Sequence, residues 1–361
     1  MVKKLCLLLV LLLSVFMVLG CNGEDVEEGT DNGAGETTDP VETDGEVYEL
    51  TLAHFFPATH PVETELVSTW IEAVKEATGG RVIVTSYPGG TLVGADDTYD
   101  GVVSGIADLG LSFFSYTRGR FPLLEAFELP GIVYESSEAA SRAAWEGIKQ
   151  LGLEEVQDTE LMFVTATGPG NLFTTKPVRT MGDMNGLKVR AIGLTVETLK
   201  ALGAVPDAMS QGEVYEALQR GLVEGNLAPI EVLQGWNQAD VTDYLTMTPF
   251  LYNALSFLTM NSDKWDSLPD DIKDAILKVN ENVHAEVAAT LWDRQNESAL
   301  EYVVNEKDME VIELSEAESA RWIEAVTPIQ DDFVNRMSEQ SLDGEGVLEL
   351  VKRLAEEYGN Q

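Results

Sequence analysis

The sequence predicts an α/β fold of two similar lobes, each a mainly parallel sheet flanked by helices. Three features predict it: an internal echo, a β-α-β-α-β opening, and a sharp break between two runs of such elements. Residues 99–112 read YDGVVSGIADLGLS and residues 215–228 read YEALQRGLVEGNLA. With no gap, Tyr99 falls on Tyr215, Gly105 on Gly221 and Asp108 on Glu224. Each copy reads as a short helix, a glycine stop, an acidic turn and a buried strand. Two α/β lobes leave a cleft between them, and clefts suit small molecules.

The opening justifies the α/β class. Residues 48–53 alternate, with Tyr48, Leu50 and Leu52 on one face of a strand. Residues 61–77 carry Val62, Leu66, Trp70, Val74 and Ala77 on one helical stripe, with Pro61 at the first turn and Gly79-Gly80 as the stop. Residues 81–87 form the next strand, 96–104 a helix and 107–114 a strand, the order of a sheet covered on both faces. A helix over 138–151 and a strand over 161–167 follow, and Gly168-Pro169-Gly170 breaks the chain. The first lobe therefore spans 48–168, with 254–292 returning to it. The second spans 169–253, with 293–361 added. It contains a strand over 187–192, a helix over 196–202, the second copy, and 245–248. Residues 253–261 form the returning strand. Residues 270–313 read as mostly helical, with Ile272, Ile276, Val279, Val283 and Val287 near heptad spacing. A helix of that length spans both lobes and braces the hinge; two ordinary helices fit the pattern equally.

The N-terminus carries an address. Lys3 and Lys4 precede an almost wholly apolar run over 7–19, then Val18-Leu19-Gly20-Cys21. Such a segment reads as a secretory signal over 1–21, too short for a comfortable span. Val-Leu-Gly-Cys resembles the bacterial lipobox, which implies lipidation of Cys21. Cys6 leaves with the signal, so the mature chain keeps one cysteine and no internal disulfide. Residues 22–47 are rich in Gly, Asp, Glu and Thr and read as a solvated acidic tether. The chain has 62 acidic and 23 basic residues, a net charge of −39, which argues against a nucleic-acid partner. An anion is repelled by this surface overall, so any anion site is local and cationic.

The run GLKVRAIG, followed by ALGAVPDAMSQGEVYEALQRGLVEGNLAP, resembles the solute-binding proteins of TRAP (tripartite ATP-independent periplasmic) transporters, DctP type. So do LGLSFFSYTRGRFPLLEAFELPGI and the opening LAHFFPATHP. The resemblance covers nearly the whole chain after the tether. It implies a two-lobed periplasmic-binding-protein fold of class II character, with a long helix bracing the hinge. It also implies capture of an organic acid outside the cytoplasmic membrane and delivery to small and large membrane subunits driven by an ion gradient. Neither enzyme activity nor a cofactor is implied. A binding protein for an ATP-driven importer and a sensor lipoprotein feeding a receptor kinase share the address and the lobes.

In open α/β sheets, ligands sit beyond the carboxyl ends of strands. That rule selects His54, Phe55 and Phe56, Phe113 and Phe114, Asn171, the stretch from Arg190 to Leu194, and Ala228, with the loops near Asp96 and over 210–212, which holds Gln211. Arg190 is the only arginine at a strand end, and a guanidinium pairs with a carboxylate through two parallel bonds. By resemblance, Arg190 stands where the family places its carboxylate-binding arginine. The same alignment puts Asn171 where many members have a second basic residue. It puts Ala228, Phe113 and Phe55 where polar groups are common. One cation with added aromatics points to a monocarboxylate with an apolar or aromatic portion. Phe55, Phe113, Phe114 and Trp236 then cover the apolar end, and Asn171 and Gln211 the polar end. A C4-dicarboxylate is the alternative. His54, His60 and His284 are too scattered to suggest a ligand set. His60, beside Pro61, reads as a helix-start residue, and His54 as packing or ligand contact.

Overall fold

The computed structural model describes residues 45–359. The signal segment, Cys21 and the tether up to residue 44 lie outside the described residues. Among the described residues no helix is long and apolar enough to cross a membrane.

The first lobe opens with β1 (Tyr48–His54), a π-helical turn (Val62–Val67) leading into α1 (Ser68–Ala77), β2 (Val82–Tyr87), α2 (Thr98–Val103) and β3 (Leu109–Phe113). Then come α3 (Ser137–Leu151) and β4 (Thr159–Ala166). The second lobe holds β5 (Asn171–Thr174), β6 (Lys188–Ala191), α4 (Thr195–Ala201), β7 (Val205–Ala208), α5 (Gln211–Gln219), β8 (Gly225–Ala228), α6 (Val232–Gly235) and β9 (Tyr244–Met247). The chain returns through β10 (Leu255–Asn261), α7 (Ser262–Asp266) and α8 (Asp270–Val283). It ends with α9 (Leu291–Glu306), β11 (Glu310–Glu313), α10 (Glu316–Val326), α11 (Pro328–Glu339) and α12 (Gly344–Gly359).

The first sheet runs β2-β1-β3-β10-β4, the second β7-β6-β8-β5-β9-β11. Taken strand by strand, the two orders correspond. β1 pairs in parallel with β2 and β3, as β6 does with β7 and β8. The reversed strand of each sheet is the one that has just crossed from the other lobe: β10 is antiparallel to β3 and β4, and β5 to β8 and β9. The sequence echo is thus topological. The helix–strand units ending in β3 and β8 each place a strand between β1 or β6 and the crossing strand of that sheet.

The two crossing segments are stitched together. Thr167 N–H donates to Ala254 O at 3.0 Å and Gly170 N–H to Tyr252 O at 2.9 Å. A Cβ on Gly170 would stand 2.3 Å from the Tyr252 ring, so glycine is required for this approach. A third connection comes from α8, a π-helical turn (His284–Ala288) and α9. Asn280 on α8 accepts the Trp70 indole N–H at 2.7 Å in the first lobe. On α9, Asp293 accepts the backbone N–H groups of Ser137 and Glu138, while Asn296 accepts that of Glu231 in the second lobe. The brace is real, with a π turn and a short break inside it.

Two expectations are corrected. Residues 310–313 are not a helix end but β11, an edge strand parallel to β9. Nor does the whole of 293–361 join the second lobe: α12 lies on α3, beside the first sheet. A Cβ on Gly147 of α3 would meet Phe127 at 2.6 Å and Leu354 of α12 at 3.1 Å.

Candidate functional site

β6 and the turn after β3 meet across the lobes at a buried guanidinium. Arg190, third residue of β6, is 1% exposed. Its Nε donates to Met209 O at 3.0 Å, Nη1 to Asn226 Oδ1 at 3.5 Å and Nη2 to Tyr116 Oη at 3.3 Å. Tyr116 belongs to the turn Phe114–Tyr116 of the first lobe, and its oxygen also accepts Gln211 N–H at 3.0 Å. Burial raises the Tyr116 phenol above its ordinary range, so it stays protonated with its own hydrogen still to donate. The partners of Arg190 are all neutral. A buried charge without a counter-charge costs several kcal/mol, so this arrangement is built to receive an anion.

The surrounding cavity is lined by Phe55, Phe56, Phe113, Tyr116, Arg190, Ile192, Gln211, Ala228, Pro229, Glu231, Val232, Trp236 and Tyr252. Phe55 is at the centre of an aromatic box. Its ring stacks on Phe56 at 4.2 Å and on Trp236 of the other lobe at 6.0 Å, and meets Tyr116 edge-on at 5.4 Å. Two more donors, Gln211 Nε2 and Trp236 Nε1, are buried without a hydrogen-bond partner. With the lobes this close, the cavity holds about 20 Å³, room for about one water. A larger guest therefore parts the lobes or side chains as it enters.

Of the residues expected at the site, the structure brings together Arg190, Phe55, Phe56, Phe113, Ile192, Gln211, Ala228 and Trp236. It does not bring in the others. Asn171 turns its carbonyl oxygen to Thr248 N–H at 2.7 Å, which holds β5 beside the crossing segment. His54 Nε2 meets Glu63 at 2.7 Å within the first lobe, and burial lowers its pKa, so it packs. Asp96 lies off the cavity, with its pKa raised mainly by burial. Phe114 and Leu194 line a separate cleft of about 610 Å³. That cleft is far larger, and two of its cations are paired within it, Arg336 with Glu125 and Lys200 with Glu197, while Arg118, which also lines it, is not buried as Arg190 is. Chemistry, not size, marks the smaller cavity. His60 does start a helix, since its Nδ1 accepts Val62 N–H at 3.1 Å, but its Nε2 also reaches Glu231 across the lobes.

Sequence reasoning missed Tyr116, Glu231 and Tyr252, whereas Phe56, within the strand-end stretch it selected, does line the cavity. Tyr116 had a signal, a tyrosine just beyond the carboxyl end of β3. Glu231 stands beyond the carboxyl end of β8 by the same rule. Tyr252 comes from the crossing segment, and no local pattern points to it.

This arrangement has known counterparts. The model of the bacterial extracellular solute-binding proteins, family 7 (DctP), matches residues 52–337. The chain belongs to that family. A TRAP periplasmic solute-binding protein of Desulfovibrio salexigens has 32% identity and a TM-score of 0.76, over 87% of this chain and 97% of that one. It was crystallised as an open complex with the C-terminus of a symmetry mate in its ligand-binding site. A marine-metagenome TRAP solute-binding protein, specific for aromatic acid ligands and holding metahydroxyphenylacetate, has 28% identity and a TM-score of 0.82, over 87% and 99%. Among curated relatives, a solute-binding protein of Roseobacter denitrificans is 29% identical over 57% of this chain and 64% of its own length, a little under two thirds. The C4-dicarboxylate-binding periplasmic protein DctP of Rhodobacter capsulatus is 27% identical over 75% and 82%. This family 7 protein is therefore an extracytoplasmic solute-binding protein of the TRAP type, a carrier rather than an enzyme.

Proposed function

We propose that this protein captures a monocarboxylate with an aromatic or bulky apolar portion and delivers it to ion-gradient-driven TRAP membrane subunits. The observation that carries the reading is Arg190, buried with neutral partners only, facing the box around Phe55. The carboxylate takes the Arg190 fork, with the Tyr116 hydroxyl and Gln211 amide as further donors. The ring lies among Phe55, Phe113 and Trp236. Glu231 lines the same cavity and repels a second carboxylate, which disfavours a C4-dicarboxylate. The aromatic-acid specificity of the marine relative supports this choice, and the Rhodobacter relative represents the rival.

Binding stabilises the closed arrangement of lobes because the guest bridges them, a population shift with no chemistry. The hinge comprises the crossing segments around Gly170 and Tyr252 and the π turn before α9. Cys21 anchors the mature chain by lipid; a Cys21→Ser variant is expected to leave the membrane fraction. The decisive measurement is calorimetry with phenylacetate and with succinate. Phenylacetate is expected to bind and succinate not. Tight succinate binding with no response to phenylacetate would refute the proposal.

A further inference from the structure

Glu231 precedes α6 and Trp236 follows it, and both line the cavity that holds Arg190. Glu231 is 3% exposed. Its Oε2 accepts from His60 Nε2 at 3.1 Å, and His60 is itself 1% exposed. The tautomer is fixed, because His60 Nδ1 accepts Val62 N–H and the ring proton is left on Nε2. Glycine at 235 makes the pair possible: a Cβ there would stand 2.7 Å from Glu231 Oε2 and 3.0 Å from His60 Nε2. Among the described residues, no other hydrogen bond reaches this carboxylate, and Oε1 is left to accept. Trp236 Nε1, also at the cavity, is a buried donor without a partner.

An unused acceptor and an unused donor flank one short helix, in a cavity whose charged donor is Arg190. The group whose chemistry matches both is a hydroxyl, which gives its hydrogen to an oxygen and takes one from a nitrogen. A methyl satisfies neither, an ammonium cannot accept, and a carboxylate meets repulsion at Glu231. We infer that Glu231 and Trp236 form a hydroxyl-reading subsite, so that the solute is a hydroxylated aryl monocarboxylate, its carboxylate at Arg190 and its hydroxyl at α6. This rests on the proposed function and narrows it. His60 acts as a positioning residue that holds the Glu231 carboxylate from the opposite lobe.

Calorimetry with phenylacetate, 3- and 4-hydroxyphenylacetate and 3- and 4-methylphenylacetate tests it. At least one hydroxy acid is expected to bind about tenfold or more tighter than phenylacetate and than its methyl counterpart, as a charge-assisted buried hydrogen bond requires. Trp236→Phe and Glu231→Gln are each expected to weaken that hydroxy acid severalfold more than they change phenylacetate, so that the preference for the hydroxyl collapses. Retained phenylacetate binding also reports that the variants are folded. Equal binding of the hydroxy, methyl and parent acids overturns the inference and leaves the proposed function standing. Equal weakening of phenylacetate and the hydroxy acid by both variants also overturns it, because a merely structural role does that. If no aryl acid binds, the proposed function fails and this inference with it.

Discussion

At the residue scale, two buried ionisable groups give separate predictions. Arg190→Ala removes the charge that a bound carboxylate needs, and loss of one member of a buried pair costs about 2–5 kcal/mol. Calorimetry is expected to show that loss with the far-ultraviolet spectrum unchanged. Arg190→Lys is expected to fall between, because lysine has no planar fork. Glu128 is buried beside the larger cleft, with its carboxyl accepting Leu255 N–H at 2.8 Å. Burial pushes its pKa up to about 8, against the Leu255 bond and with help from Glu125. The raised value means that the native state holds more protons than the unfolded chain between the ordinary carboxylate pKa and about 8. Stability from this group is therefore present at low pH and declines as pH rises through that window. Glu128→Gln keeps an oxygen for Leu255. Its urea midpoint is expected to rise above wild type as the pH goes from about 5 to about 8; a constant gap would contradict the assignment. The sequence singled out Arg190 because arginine at a strand end is rare in so acidic a chain. It did not single out Glu128, because burial of one glutamate among many depends on what packs over it.

At the element scale, the loop between β6 and α4 sets how closely the lobes approach. Gly193 has a φ of +47°, and a Cβ there would stand 2.7 Å from Ser115 Cβ on the first lobe. Gly193→Ala is thus expected to lower stability modestly through backbone strain, about 1 kcal/mol, and to oppose closure through the clash. Solute affinity is expected to fall about tenfold, and Ser115→Gly in the same chain to recover part of it. No recovery in calorimetry would mean that the strain, not the clash, is responsible. The long helices and central strands were legible because their apolar periodicity is strong. β7 and β11 were not: each has four residues at a sheet edge, and β7 contains Pro206. The amphipathic pattern of α12 shows which face is buried but not that α3 covers it.

At the scale of the whole molecule, an anionic solute approaches a chain of net charge −39. The field slows encounter until the solute enters the cleft, and salt screens it within a Debye length of about 8–10 Å. Stopped-flow association is expected to quicken as ionic strength rises from low to physiological, the reverse of electrostatic steering. A rate that falls with salt would show that a local positive field dominates the approach. Closure around the guest draws on three hinge connections at once, and the long brace of α8 and α9 ties both lobes. Glu231 is tied on each side: its backbone N–H donates to Asn296 Oδ1 on the brace, and its carboxylate accepts from His60.

The sequence alone determined the two-lobed α/β architecture, the duplicated helix–strand unit, the acidic character and the solitary arginine, because periodicity, glycine stops and charge are local properties written residue by residue. The tertiary structure decided the company Arg190 keeps. Tyr116, Glu231 and Tyr252 come from different lobes and a crossing segment, and only folding converts that separation along the chain into a shared cavity. For the same reason Asn171 and His54, plausible from their strand ends, proved to be held by Thr248 and Glu63. A strand end fixes where a side chain starts; its hydrogen-bond partners, brought by distant segments, fix what it serves.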